Sequence, residues 1–391
     1  MKKILFVYPH NFFESNMGTN IRVYSLAKEL FLEGYQIDLY GCSNFVSSFA
    51  TFDTQNKEGI IRNLFLYDFR KTVLYRKKNR IRRFLSKVFN RVELSSWVTP
   101  AMNRQFLEIA SSTQYDFIVM FYAYTGELVS PDNYKGAASK IYFMEDFLSV
   151  NHFTSGKKKY FGSEVNSEIN RIAHFDKVVC ISWDEKVFFE KLLSDRQFYY
   201  LPHVISSKKI CDKPLNAKKR VLFIGYDNEY NIQGINWFLD SVYGYLTDNV
   251  EIVIAGKVST GVKAEYSNLR KINFVADLDK LYRDIDIVIC PLLNGTGMKI
   301  KVIEAMSYSI PVVCTCRGVD GFPDKLKNGC LVADTPRKFA DAINLLISHN
   351  EYYQECQRKV RDYFADTFDW NVTRDTMMDV FDATDVSGTT C

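Results

Sequence analysis

The sequence predicts an α/β protein built from two doubly wound parallel sheets, and three observations carry that expectation. Short apolar runs alternate with amphipathic helical segments, the order that builds parallel sheets. The alternation fades near residue 204 and restarts near residue 220, so the pattern occurs twice. With 391 residues, 47% hydrophobic and 25% charged, the chain can bury more than one core.

The elements follow in order. Ile4 to Tyr8 reads as a buried strand, and after a polar loop Asn20 to Leu32 places Val23, Leu26, Ala27, Leu30 and Phe31 on one helical face. Gly34 ends that helix, and Gln36 to Tyr40 resumes as a strand. Further strands are expected at Phe117 to Phe121, Lys140 to Met144 and Lys177 to Ile181. Leu201 to Arg220 carries Pro202, Pro214, Ser206, Ser207 and lysines at 208, 209, 218 and 219, which is linker chemistry. Strands resume at Val221 to Ile224, Glu251 to Ala255, Ile285 to Cys290 and Pro311 to Cys314. The expected boundaries are a first Rossmann-like domain at 1–203, a linker at 204–219 and a second Rossmann-like domain at 220–368.

Composition excludes some functions. Lys plus Arg total 50 against 46 Asp plus Glu, and a net charge of +4 argues for no nucleic-acid partner. The apolar run at Ile4 to Tyr8 is too short for a secretory signal or a membrane span, so a cytoplasmic protein is expected. Nine cysteines without paired metal-ligand spacing read as packed thiols in a reducing compartment, and no metal is expected. One stretch stands apart. Arg70 to Arg91 holds ten basic residues and no acidic one, with Ile81, Phe84, Leu85, Val88 and Phe89 at helical spacing. It reads equally as an ordinary helix with a solvated basic face or as a peripheral contact with an anionic membrane, at the inner face of the plasma membrane.

The most informative segment is Cys290-Pro-Leu-Leu-Asn-Gly-Thr-Gly-Met-Lys-Ile-Lys-Val-Ile-Glu-Ala-Met306, a strand, a glycine loop and a helix. Gly295 and Gly297 let backbone N–H groups approach a ligand closely, a helix expected from Met298 directs its positive end at the loop, and Lys299 adds a full charge. A diphosphate would suit that place. Glu304, further along the helix, can accept paired hydrogen bonds from the vicinal hydroxyls of a ribose. Alone, the two glycines would also fit a tight turn at a helix start.

Here the chain resembles the nucleotide-sugar-dependent GT-B glycosyltransferases, specifically the retaining glycosyltransferase family four. The resemblance spans nearly the whole chain and is strongest from Ile285 to Phe322, through Gly295-Thr-Gly-Met-Lys-Ile-Lys-Val-Ile-Glu-Ala-Met, Pro311-Val-Val and Gly318-Val-Asp-Gly-Phe322. It implies two domains facing across a cleft, with donor-binding positions at Gly18, Gly225, Val275, Gly295, Thr296, Gly297, Met298, Lys299 and Glu304. It also implies that 369–391 is a C-terminal helix crossing back to the N-terminal domain. Lys299 would stabilise the leaving diphosphate, and Asp146 stands roughly where family members present a histidine, although Asp is also a common helix N-cap. The chain departs from the family pattern in three places: Thr296 stands where many members have a first glutamate, Tyr226 follows Gly225 where an arginine is common, and Gln233 stands near a lysine place. Arg22 reads equally as a cleft residue or a surface one.

The implied reaction passes a sugar from a nucleotide diphosphate to a glycan or lipid-linked acceptor with retention and without a metal, in surface polysaccharide or glycoconjugate assembly. A nucleotide-sugar epimerase of the same fold and an inactive nucleotide-binding subunit remain as alternatives.

Overall fold

In a computed structural model of the chain, the residues described are 1–14, 18–45, 48–79, 93–154, 156, 160–203, 205–208, 218–295 and 297–382. They form two compact units. The first comprises Met1–Ile181, Glu185–Leu201 and Thr376–Cys391, and the second Ser182–Asp184 and Pro202–Asp375.

The first unit is a seven-stranded parallel sheet of β1 (Lys3–Val7), β2 (Gln36–Ser43), β3 (Ile61–Asp68), β4 (Phe117–Met120), β5 (Ser139–Met144), β6 (Lys177–Cys180) and β7 (Gln197–Tyr200). Their order is β3-β2-β1-β4-β5-β6-β7, so the winding reverses between β1 and β4. Register is set by buried pairs: Leu5 stands opposite Ile118, and Phe6 stands opposite both Leu39 and Val119. The central strands are apolar because helices cover both faces of a doubly wound sheet. The Gly18–Leu32 helix buries Val23, Leu26, Ala27 and Leu30.

The end of the Trp370–Val380 helix docks in this unit. Phe381 packs 5.4 Å from Phe117 and 5.9 Å from Tyr35 between ring centres. The carbonyls that a helix C-terminus leaves unsatisfied are met by cations: Lys177 Nζ donates to Val380 O at 2.8 Å and Asp382 O at 2.9 Å, and Lys2 Nζ to Phe381 O at 3.1 Å.

Part of the basic stretch forms the Phe69–Lys78 helix, begun by Asp68, whose carboxylate accepts from Arg70 N–H at 3.0 Å. Val73, Leu74 and Tyr75 are exposed on it. Ile81, Phe84, Leu85, Val88 and Phe89 lie outside the described residues. Among the described residues no helix is long and apolar enough to cross a membrane.

The second unit is a six-stranded parallel sheet of β8 (Lys219–Ile224), β9 (Val250–Ala255), β10 (Leu269–Ile272), β11 (Ile287–Cys290), β12 (Val312–Cys314) and β13 (Leu331–Val332). Their order is β10-β9-β8-β11-β12-β13. Winding reverses between β8 and β11, where Val221 pairs Ile287 and Leu222 pairs Val288. A reversal of this kind leaves a crevice at the carboxyl ends of the two strands, because their connections leave in opposite directions. Gly225 follows β8 and the Pro291–Lys299 loop follows β11.

Candidate functional site

The β8 side of that crevice is built around glycine. A Cβ on Gly225 would lie 2.9 Å from Asn231 Nδ2 and 3.2 Å from Lys301 Nζ. Next to it, β9 ends in Gly256, whose φ is 87° and whose added Cβ would lie 2.4 Å from the Gly225 carbonyl oxygen. Asn228 caps the Glu229–Trp237 helix by accepting from Asn231 N–H at 2.9 Å, and Asn231 Nδ2 donates to Tyr226 O at 2.9 Å. Lys301 Nζ donates to Asn231 Oδ1 at 2.7 Å and lies 4.3 Å from the Phe223 ring centre. One cation therefore ties the segment after β11 to the loop after β8.

On the β11 side, Gly295 and Gly297 have φ of 104° and 74°, left-handed backbone that side-chain-bearing residues adopt at a cost. Asn294 Nδ2 donates to Gln233 Oε1 at 3.0 Å, so Gln233 braces the loop. The helix spans Ile300–Ser307, two residues later than a start at Met298, because the backbone at Lys299 is still extended. The Val302 amide closes the first turn on Lys299 O at 2.9 Å, and the positive end of the helix is directed at the loop. Lys299 is buried, and its Nζ donates back to Gly297 O at 2.6 Å across the loop. Met298 is half-buried, and Thr296 lies outside the described residues.

Glu304 lies one turn into the helix, with Oε2 accepting from Tyr282 OH at 3.1 Å. Tyr282 stacks on Tyr308 with ring centres 4.6 Å apart, and Tyr308 donates to Asp279, which Lys208 approaches at 3.3 Å. Burial holds the Glu304 carboxyl above its ordinary pKa, against the opposing pull of the Tyr282 hydroxyl and of Lys301. Val275 is half-buried in the loop after β10, beside the exposed Phe274. Two aspartates nearby have structural partners. Asp277 accepts from Lys280 N–H, and Asp286 accepts from Arg220 N–H, both at 2.9 Å. Among the described residues no group of three His, Cys, Asp or Glu could hold a metal ion.

Gly18 and Asp146 belong to the first unit. Gly18 is the exposed first residue of its helix. Asn20, two residues on, is buried; it accepts from Tyr8 OH at 2.6 Å and donates to Glu14 O at 2.6 Å, holding the loop after β1. Arg22 is a buried residue, paired with Glu145 at 3.1 Å and donating to Leu201 O at 3.0 Å. Asp146 follows Glu145 and accepts from Asn151 Nδ2 at 3.1 Å. At the start of the next helix, Leu148–Thr154, the amides of Leu148 and Ser149 donate to the buried Glu168, each at 2.9 Å. His10 packs 5.4 Å from Tyr8 and 5.0 Å from Phe45, and burial holds its imidazole down to about 4, so it is neutral at pH 7.

The structure thus gathers Gly225, Gly295, Gly297, Lys299 and Lys301 around one strand reversal. Sequence reasoning did not single out Gly256, Asn231, Tyr282 or Lys301. Gly256 had a readable signal, a glycine directly after an apolar strand at the same sheet edge as Gly225; the other three had none.

Residues 218–349 match the family model described as Glycosyl transferases group 1. An uncharacterized 44.6 kDa protein in the cps region of Klebsiella pneumoniae is 28% identical over 199 residues, covering 46% of each chain. A phosphatidyl-myo-inositol mannosyltransferase of Mycobacterium leprae is 26% identical over 183 residues, covering 44% of this chain and 48% of the relative. The chain thus spans about half the length of the curated relatives it matches. Among solved structures, sucrose-phosphate synthase of Thermosynechococcus elongatus aligns over 97% of this chain and 98% of its own, with TM-score 0.68 and 13% identity. Anabaena HepE in complex with UDP and glucose aligns over 97% and 99%, with TM-score 0.67 and 14% identity. At these identities the likeness establishes the fold.

Proposed function

We propose that this chain, which has the GT-B fold and carries a Glycosyl transferases group 1 domain at 218–349, is a glycosyltransferase whose second unit holds a nucleotide diphosphate sugar. The observation that carries the reading is the crevice at the β8/β11 reversal. It combines a strand end without side chains, two left-handed glycines, the amino end of a helix and two lysines, with a carboxylate one turn further on. These are the parts an anion and a ribose require.

Cleaving a sugar–phosphate bond builds positive charge on the sugar ring and negative charge on the departing diphosphate. Donors already aimed at the diphosphate lower that barrier without reorganising during the reaction. The amide following Gly297 serves this role, and Lys299, bonded to Gly297 O, holds it in place. Glu304 would accept from the ribose hydroxyls while Tyr282 orients it. We assign retention of configuration, a metal-independent step and a glycan or lipid-linked acceptor to the same reading. The support is the family four resemblance and relatives whose names speak of a cps region and a phosphoinositide mannosyltransferase.

The test is a thermal-shift panel of nucleoside diphosphates, followed by release of nucleotide from nucleotide sugars with chelator present. Stabilisation by one nucleotide and acceptor-dependent, chelator-resistant release are expected. Conversion of the donor without an acceptor would make the protein an epimerase, and no stabilisation by any nucleotide would remove the reading.

Within this site, Lys299→Ala is expected to weaken nucleotide binding by about 1.5–3 kcal/mol, the worth of a hydrogen bond made by a charged group. Glu304→Gln should weaken nucleosides with intact ribose while leaving inorganic diphosphate unaffected. Calorimetric titration of the folded variants measures both, and equal losses for nucleotide and diphosphate in Glu304→Gln would place that side chain away from the ribose.

A further inference from the structure

We propose that Lys301 is the cation that meets the donor diphosphate on the β8 side of the crevice, and that capturing the donor draws a proton onto its amine. The inference rests on the reading of this site as one for a nucleotide sugar. It goes beyond that reading by naming a second lysine and a proton linked to binding.

The two lysines are placed differently. Lys299 Nζ donates to Gly297 O and so secures the glycine loop. Lys301 Nζ stands over Gly225, 3.2 Å from where a side chain would begin, so the amine occupies space next to the one residue there that leaves the backbone open. Its hydrogen-bond partner is a neutral amide, Asn231 Oδ1 at 2.7 Å. Among the described residues Lys301 has no carboxylate in ion-pair contact, in contrast to the buried Arg22, which has Glu145. An ammonium carries three N–H groups, and one neutral acceptor leaves capacity for a ligand.

The surroundings of the amine bear on its proton. From β8 it meets the Phe223 ring, and from the Glu229–Trp237 helix Asn231. From β11 it meets the Cys290 thiol, and along its own segment Lys299 and Glu304. Loss of hydration dominates these influences and lowers the amine to about 8, with Lys299 acting in the same direction and Cys290 and Glu304 opposing. In the unliganded protein the charged fraction therefore falls as pH rises through about 8. A sugar nucleotide brings two negative charges on its diphosphate that do not titrate in this range. Beside them the amine regains its proton, so binding above pH 8 takes a proton from solution and weakens as protons become scarce.

The experiment titrates wild-type protein by calorimetry with UDP-glucose, GDP-mannose and ADP-glucose, using whichever binds, in two buffers of different ionisation enthalpy. Uptake of about three quarters of a proton is expected near pH 8.5 and almost none near pH 6.5, with affinity about fourfold weaker at the higher pH. Lys301→Arg, which keeps its charge throughout, should retain binding and flatten the profile. Lys301→Met should bind about tenfold or more weakly and also be flat. Lys299→Met should keep the slope, since its loss leaves Lys301 in place. Absence of proton uptake by the wild type, or wild-type affinity in Lys301→Met, overturns the inference while the nucleotide-sugar reading stands. If none of the three donors binds, the functional reading fails and this one with it. The wild-type measurement decides the matter even if a variant does not fold.

Discussion

Gly256→Ala is expected to cost the second unit about 3–5 kcal/mol, among the largest effects of a single added methyl in this chain. Two penalties combine. The backbone at Gly256, with φ 87° and ψ −179°, lies in a region essentially reserved for glycine, worth about 1–3 kcal/mol against a methyl-bearing residue. The new Cβ would also lie 2.4 Å from the Gly225 carbonyl oxygen, and the atom met is backbone rather than the end of a flexible side chain. The clash can be relieved only by moving β8 and β9 apart, although Gly225 N–H donates to Ala255 O at 3.0 Å and Gly256 N–H to Ile272 O at 2.8 Å. Gly297→Ala separates the two penalties, because its φ is 74° and an added Cβ there meets nothing within 4 Å. It should cost only about 1–2 kcal/mol. Chemical denaturation of both variants measures the difference, and equal losses would mean that the β8/β9 ends yield easily. Because Gly225 is displaced first, nucleotide affinity should fall in Gly256→Ala even at temperatures where the unit remains folded.

Arg22→Met should destabilise the first unit by about 3–5 kcal/mol, since removing one partner of a buried pair leaves an uncompensated charge. Arg22 and Glu145 are both buried, 3.1 Å apart, and Arg22 also satisfies the Leu201 carbonyl at 3.0 Å. Burial already raises the Glu145 carboxyl above its ordinary pKa, with Arg22 pulling it down and Asp146 pushing it up. Without Arg22 it rises further. A carboxyl that is harder to ionise in the folded state than in the unfolded one costs stability in full above its folded pKa, by a shrinking amount between its two pKa values, and not at all below its unfolded pKa. The loss in Arg22→Met should therefore be larger near neutral pH and shrink as pH falls toward the unfolded carboxylate range. Adding Glu145→Gln should recover much of it at neutral pH. Denaturation curves of the three chains from neutral pH to about pH 5 provide the check. A loss that does not change with pH or with the second substitution would assign the cost to packing of the arginine stem instead.

The candidate site was legible where it is contiguous. Gly295, Gly297, Lys299 and Glu304 fall within ten residues, and strand, glycine loop and helix carry the same meaning in sequence as in space. Asn231 and Lys301 are seventy positions apart, and their 2.7 Å hydrogen bond exists only because β8 and β11 are neighbours in the sheet. Likewise Asp146 could be read as a helix cap from its residue type alone, whereas nothing local to the Leu148–Thr154 helix announces that its Leu148 and Ser149 amides are met by Glu168, some twenty residues later.

By itself the sequence determined the interior of both sheets. Strands buried on two faces are mostly apolar runs, and β1, β2, β4, β5 and β6 in one sheet and β8, β9, β11 and β12 in the other could be read that way, the buried Asp38 of β2 being the exception that Arg62 and Tyr115 satisfy. The four strands it did not announce, β3, β7, β10 and β13, are the four edges. An edge strand has a neighbour on one side only and needs no apolar run: Ile61–Asp68 exposes Arg62 and Asn63, and Leu331–Val332 is two residues long. Its identity comes from hydrogen bonds to a partner that local pattern does not contain. The same holds for the pairing of Arg22 with Glu145 and of Lys301 with Asn231. Burial leaves its mark along the chain, whereas partnership is decided by distance across it.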